Sequence, residues 1–400
     1  MDKETLKIAI RDGQERLAGA SWIERDLRID HGFLAKSGKA AAIVGPRRAG
    51  KTFRLFQVRT ELGLSPEQVC FLDFSDLSLR DFRSEDFELV GVAAAELEPR
   101  ADGLFLFDEI QEVEGFEAGI RHLQNKGRRV YITGSNSAVF GEALASSLRG
   151  KLLSHELYPL SFREFLRFRG KSFRPDPSSE EKAERRRLLD EYLLWGGFPE
   201  LALASQAETK RSLLDSYLDV MIYRDIVERN GLSAAGTVER VLAKYLASFT
   251  KEFSVHKWYN DFKSMGLRVG KDGLYDIVGY LEEAFVVRCL SNLASPGGAR
   301  KAYLTDNGYY RSFLDRDRDY GKLWENALLA GLVRRGEKPA FWSDRRGEID
   351  FIVSDAFIQA TVELTDYNRE REKAPFDLVA SAIGERERLI LTPDDPPDWL

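Results

Sequence analysis

Short apolar runs alternate with helix-period stretches through the first third of the chain. The runs are AAAIV at 40–44, QVCFLDF at 68–74, LFLFDE at 104–109, RVYITGS at 129–135 and KLLSHELYPL at 151–160. This alternation predicts an α/β unit, a parallel sheet wrapped by helices. The stretch RGKSFRPDPSSEE at 169–181 breaks the pattern with Gly, Pro and Ser and reads as a linker. Apolar residues then recur at three- and four-residue steps from KAERRRLLDEYLLWGG through SLLDSYLDVMIYRDIVERNGL, which predicts helices. Three more helices are expected between 237 and 292: TVERVLAKYLASFT, SVHKWYNDFKSMG and GLYDIVGYLEEAFVVRCL. Strands return at KAYLTD (301–306). The helix GKLWENALLAGLVRRG and the strand pair EIDFIV and FIQATVEL follow.

Four hundred residues exceed what one core holds, so two to four domains are expected. A formal net charge of −6 gives no bulk attraction to nucleic acid or to an acidic membrane. Any such contact must come from a local basic face. Cys70 and Cys289 are far apart and flanked by apolar residues, so free thiols in a reducing compartment are expected. Four scattered histidines and no CxxC pair offer no zinc site. The charged, helix-like N-terminus lacks the apolar segment of a signal peptide, and no apolar run reaches the ~20 residues that span a bilayer. A cytoplasmic protein is expected, without a membrane partner.

Gly45-Pro46-Arg47-Arg48-Ala49-Gly50-Lys51-Thr52 satisfies G-x-x-x-x-G-K-[ST] between a buried strand and a helix-like run. Such a loop curls its backbone N–H groups round phosphates at a helix N-terminus. Lys51 would reach the β- and γ-phosphates of ATP, and the Thr52 hydroxyl would ligate Mg²⁺. Asp108 and Glu109 end the strand LFLFDE, at the edge where open α/β sheets bind ligands. Asp108 suits a second Mg²⁺ contact, and Glu109 suits the base that deprotonates an attacking water. Ser135 and Asn136 in YITGSNS are candidates to hold that water or sense the γ-phosphate. Arg149 in SLRGK is a candidate to reach a neighbouring subunit's γ-phosphate in a ring; a solvated basic loop is the alternative.

With these residues assembled, the chain resembles a family of archaeal and bacterial AAA-type P-loop ATPases. In that family the C-terminal region is an uncharacterised domain related to restriction endonucleases. The likeness runs through GPRRAGKT, FLFDEIQ, YITGSNS, SLRGK with YPLSFREFL, YLLWGGFPE, YRDIVER, YLTDNG, LWENALL and EIDFIV. It implies a P-loop core over 1–172, a helical lid over 180–235, a winged-helix module over 236–297 and the endonuclease-like domain over 298–400. GGFP looks like a lid element that would set Pro199 near the adenine, although a Gly cap followed by Pro at a helix start explains it equally. In the winged-helix module, Asp261, Asp272, Asp276, Glu282 and Glu283 nearly cancel the charge of Lys257, Lys263, Arg268 and Lys271, so DNA and a protein partner both stay open.

For a restriction-type site the resemblance implies Glu325, Asp350 and Gln359 as the acidic and amide positions. Thr361 stands where the lysine belongs, with Lys373 as a displaced substitute. A degenerate domain is expected. The overall expectation is an ATP-hydrolysing AAA-type switch or remodelling enzyme whose nucleotide state repositions its C-terminal modules. A nucleotide-dependent homo-oligomer is one possible assembly. A DNA-binding ATPase and an ATP-dependent nuclease are the alternatives.

Overall fold

The five apolar runs become β1 (Ala40–Val44), β2 (Val69–Asp73), β3 (Leu104–Asp108), β4 (Arg129–Gly134) and β5 (Leu152–Glu156). They form one sheet in the order β2-β3-β4-β1-β5, and every pairing is parallel. β1 and β3 are buried along their whole length, as strands covered on both faces must be. Because β4 lies between β1 and β3, its C-terminal end is wedged between the loop after β1 and the acids after β3. This order therefore places YITGSNS beside both.

This computed structural model describes all residues except 100–102, 146–147, 173–176, 233–234, 267–268, 314–318 and 395–398. The chain divides into two compact units, Met1–Leu157 and Tyr158–Leu400. In the first unit, Ile43, Phe56, Phe71, Leu106 and Tyr131 pack together in one core. Elsewhere in the unit Phe74, Phe82, Phe87 and Phe107 form a chain of tilted and edge-on ring contacts at 4.9–5.9 Å. Each such pair adds roughly 0.5–1.5 kcal/mol beyond burial. Phe107 immediately precedes Asp108, so this cluster fixes the end of β3.

In the second unit, helices Ser179–Trp195 and Ala207–Val220 carry the expected helical run, which continues through Met221–Glu228 as a π-helix. Helices Ala235–Ala247, Val255–Ser264 and Lys271–Glu283 follow, with β6 (Glu252–Phe253), β7 (Val287–Ser291) and β8 (Arg300–Leu304). These strands make an antiparallel sheet in the order β6-β8-β7. The helix expected to run to residue 290 stops at Glu283: Phe285 takes φ +58° and Val286-Val287 leads into β7. β-branched side chains favour the strand there. The β7–β8 hairpin carries the chain across position 297, where the sequence suggested a boundary.

Helix Tyr320–Arg334 precedes β9 (Ala340–Asp344), β10 (Gly347–Ile352) and β11 (Ala356–Ala360); helix Arg369–Ile383 leads to β12 (Glu387–Leu391). The sheet order is β12-β11-β10-β9, with β11 and β12 parallel and the other pairs antiparallel. The strand expected through FIQATVEL ends at Ala360; Thr361 N still donates to Leu391 O of β12 at 3.1 Å, and the residues from Val362 on lie beyond the strand. The two sheets are stitched together: Leu293 N donates to Phe341 O at 2.9 Å, and the Asn292 amide bonds both backbone groups of Ser343. Among the described residues no helix is long and apolar enough to cross a membrane.

Candidate functional site

The loop between β1 and helix Lys51–Glu61 is shaped by two glycines and braced by a distant arginine. A Cβ on Gly45 would stand 2.0 Å from the Leu157 carbonyl oxygen, and Gly50 takes φ +93°. Arg48 also sits at positive φ (+64°), a cost that non-glycine residues bear where the fold over-determines the backbone. The Arg25 guanidinium donates to the Ala49 carbonyl at 2.5 Å, and Gln57 bonds both backbone groups of Arg25. The buried Lys51 ammonium rests on the carbonyls of Gly45 (3.1 Å) and Pro46 (3.0 Å).

Across the loop stand the two acids. The Thr52 hydroxyl donates to Asp108 Oδ2 at 2.5 Å. Thr133 Oγ1 donates to Asp108 Oδ1 and accepts from the backbone N–H of Glu109 at 2.9 Å. Glu109 takes φ +49°, which turns its side chain out of the strand direction. Its carboxylate accepts from the Gln111 amide and from Ser135 Oγ (3.3 Å), and its Oε1 lies 3.8 Å from Lys51 Nζ. Burial, aided by the charges of Glu109 and Asp73, pushes the Asp108 carboxyl up to about 6. Burial acts on Glu109 in the same sense, but Lys51 and Arg47 outweigh it and hold that carboxyl below its usual value. Two adjacent carboxylates are thus tuned apart. Thr52 and Asp108 present hydroxyl and carboxylate oxygens at one point, the donor chemistry that Mg²⁺ takes, so these residues fit the metal.

Of the two candidates to hold the water, Ser135 bonds Glu109, whereas Asn136 is engaged elsewhere. Its Oδ1 accepts from Ala138 N (2.8 Å) and Val139 N (3.1 Å), capping the helix Ser137–Ala145. Arg149 lies exposed on the turn before β5. Pro199 belongs to the second unit, where it starts the short helix Pro199–Leu203. There the Gly197 N–H donates to the buried Asp306 at 2.8 Å.

Sequence reasoning missed Thr133, Arg25 and Gln111. Gln111 was within reach, two residues after Glu109 in FLFDEIQ. Because its amide orients Glu109, Gln111→Ala is expected to lower kcat for ATP about 10-fold, a modest share of a general-base contribution, and to leave KM unchanged. A steady-state phosphate-release assay separates the two constants.

The second unit brings Glu325, Asp350 and Gln359 together. Asp350 N donates to Gln359 Oε1 at 2.8 Å, and the Lys301 ammonium joins Glu325 (2.8 Å), Glu348 (2.6 Å) and Asp350 (3.0 Å). The positive charge missing at Thr361 therefore comes from β8, and no described contact brings Lys373 into the cluster. Burial and the Asp350 charge push the Glu325 carboxyl up to about 7. Burial disfavours the charge on Lys301, but Tyr303 and the three acids outweigh it and hold the ammonium well above its usual value. On helix Lys271–Glu283, Lys271, Asp272, Tyr275 and Asp276 are exposed. Lys257 and Lys263 are exposed on the preceding helix, and Arg268 lies outside the described residues.

Residues 37–166 match the family described as an AAA domain, and residues 186–320 match a domain of unknown function, DUF8612. The uncharacterized protein MJ1544 of Methanocaldococcus jannaschii is 31% identical over 384 residues, covering 93% of this chain and 85% of its own. An uncharacterized protein of Haemophilus influenzae is 26% identical over 347 residues, covering 82% of this chain and 84% of its own. Among solved structures, that of C. elegans PCH-2 aligns with 54% of this chain and 61% of its own at 12% identity. Its TM-score of 0.27 is too low to bear on the fold.

Proposed function

We propose, on the premise that this chain belongs to the family of the uncharacterized Methanocaldococcus jannaschii protein and carries an AAA domain at 37–166, that ATP hydrolysis in the first unit works a switch acting through the second. The AAA domain makes the chain an ATP-binding, ATP-hydrolysing enzyme. The observation that carries the residue-level reading is the convergence of Lys51, the Thr52–Asp108 pair and Glu109 at the sheet's C-terminal edge. Loop amides and Lys51 bind the phosphates. Thr52 and Asp108 would hold Mg²⁺, which when bound neutralises charge on the β- and γ-phosphates. Glu109 takes a proton from the attacking water as the water oxygen bonds to the γ-phosphorus, and ADP leaves with the electron pair of the broken P–O bond. Gln111 and Ser135 orient Glu109, and Ser135, at the end of β4, makes that strand responsive to whether a γ-phosphate is present. Exposure of Arg149 supports a role toward a neighbouring copy.

For the second unit, the order helix, strand, helix, helix, strand, strand over 235–304 supports a winged-helix module. Its third helix exposes one lysine against two aspartates, which repels phosphates. A protein partner therefore fits this surface better than DNA. The meeting of Glu325, Asp350 and Gln359 supports kinship with restriction endonucleases, in a domain used for structure or binding. The test is phosphate release from ATP with Mg²⁺, with and without duplex DNA. Turnover that duplex DNA leaves unchanged is the expected result; stimulation of several-fold that fades as salt rises would replace the protein-directed switch with a DNA-coupled ATPase.

A further inference from the structure

Resemblance to restriction endonucleases implies a divalent cation among Glu325, Asp350 and Gln359, and the residues present do not fit one. The Lys301 side chain is only 3% exposed. Its nitrogen stands 2.6 Å from Glu348 Oε1, 2.8 Å from Glu325 Oε1 and 3.0 Å from Asp350 Oδ1. An ammonium has three N–H donors, and here each has a carboxylate. Two of these acids accept a further bond. Tyr303 OH donates to Glu325 at 2.5 Å, and Ala360 N donates to Asp350 Oδ2 at 3.0 Å. Gln359, whose carbonyl would face a metal, accepts from Asp350 N at 2.8 Å and turns its amide toward Glu372 at 3.4 Å. A divalent cation bound at ~2.0–2.6 Å from the same carboxylate oxygens would have to share the space of the lysine nitrogen.

We propose that Lys301 is the resident cation of this cluster, standing where the endonuclease likeness would put a metal, and that the cluster takes no divalent ion. Its work is to pin three elements: β8 through Lys301 and Tyr303, the helix Tyr320–Arg334 through Glu325, and β10 through Glu348 and Asp350. The half-exposed Glu348 leaves its share of the surplus negative charge in water. This inference is independent of the nucleotide chemistry in the first unit.

Mn²⁺ uptake by the nucleotide-free full-length chain tests it, since any ion at the phosphate loop is common to all variants and cancels in the comparison. Wild type and Asp350→Asn are expected to bind the same number of Mn²⁺ ions. One additional ion in wild type, lost in Asp350→Asn, would overturn the proposal, and this comparison needs no variant of Lys301. Lys301→Ala, with the ammonium gone, is expected to gain one Mn²⁺ over wild type and to lose it again in Lys301→Ala/Asp350→Asn. A folded Lys301→Ala that gains no ion would equally overturn it.

Discussion

Glu109→Gln is expected to lower phosphate release from ATP by about 100- to 10,000-fold, the usual contribution of a positioned general base, and to keep ATP affinity within a few-fold. The amide keeps the shape of the carboxylate and can still meet Ser135, but it cannot accept a proton from water. Lys51, the loop amides and Thr52 are untouched, so binding survives. Turnover and nucleotide binding, measured on the same preparation, separate this outcome from misfolding. Full turnover in Glu109→Gln would assign the base to another residue. Loss of ATP binding along with turnover would mean that Glu109 holds Lys51, 3.8 Å away, in place.

Lys301→Met is expected to destabilise the second unit by about 3–5 kcal/mol, the cost of leaving buried charge without its partner. Methionine fills much of the volume but leaves Glu325 and Asp350 facing each other across a mostly buried site. Glu348→Gln should cost much less, because Glu348 is half-exposed and Lys301 keeps its two buried partners. The two units need not unfold together, so the second must be followed by itself. Tryptophan fluorescence does this: Trp195, Trp258, Trp324, Trp342 and Trp399 lie in the second unit, and of the six tryptophans only Trp22 lies in the first. Equal shifts for the two variants would remove Lys301 from the centre of the cluster.

The candidate nucleotide site was legible because much of its chemistry is local. The phosphate loop is eight consecutive residues between a strand and a helix, and Asp108-Glu109 ends an apolar strand. What was not legible there depends on strand order. Nothing in YITGSNS says that β4 lies between β1 and β3, yet this makes Thr133 the link between Asp108 and Glu109 and separates the roles of Ser135 and Asn136. Arg25 is 24 residues from the carbonyl it holds, and no spacing rule connects them.

Farther along the chain, the residues of the acidic cluster were found but its charge balance was misplaced. A lysine was sought near Thr361 or Lys373, and it comes from β8, 49 residues before Asp350. By itself the sequence determined the apolar runs, the candidate phosphate loop and the acidic pair that ends β3, because each depends on neighbours in the chain. Only the tertiary structure decided which strand separates the loop from the acids, where VVRCL leaves the helix, and which cation sits among Glu325, Glu348 and Asp350. Those outcomes follow from the energy of packing and of pairing buried charge, which depends on groups brought close by the fold and not on their distance along the chain.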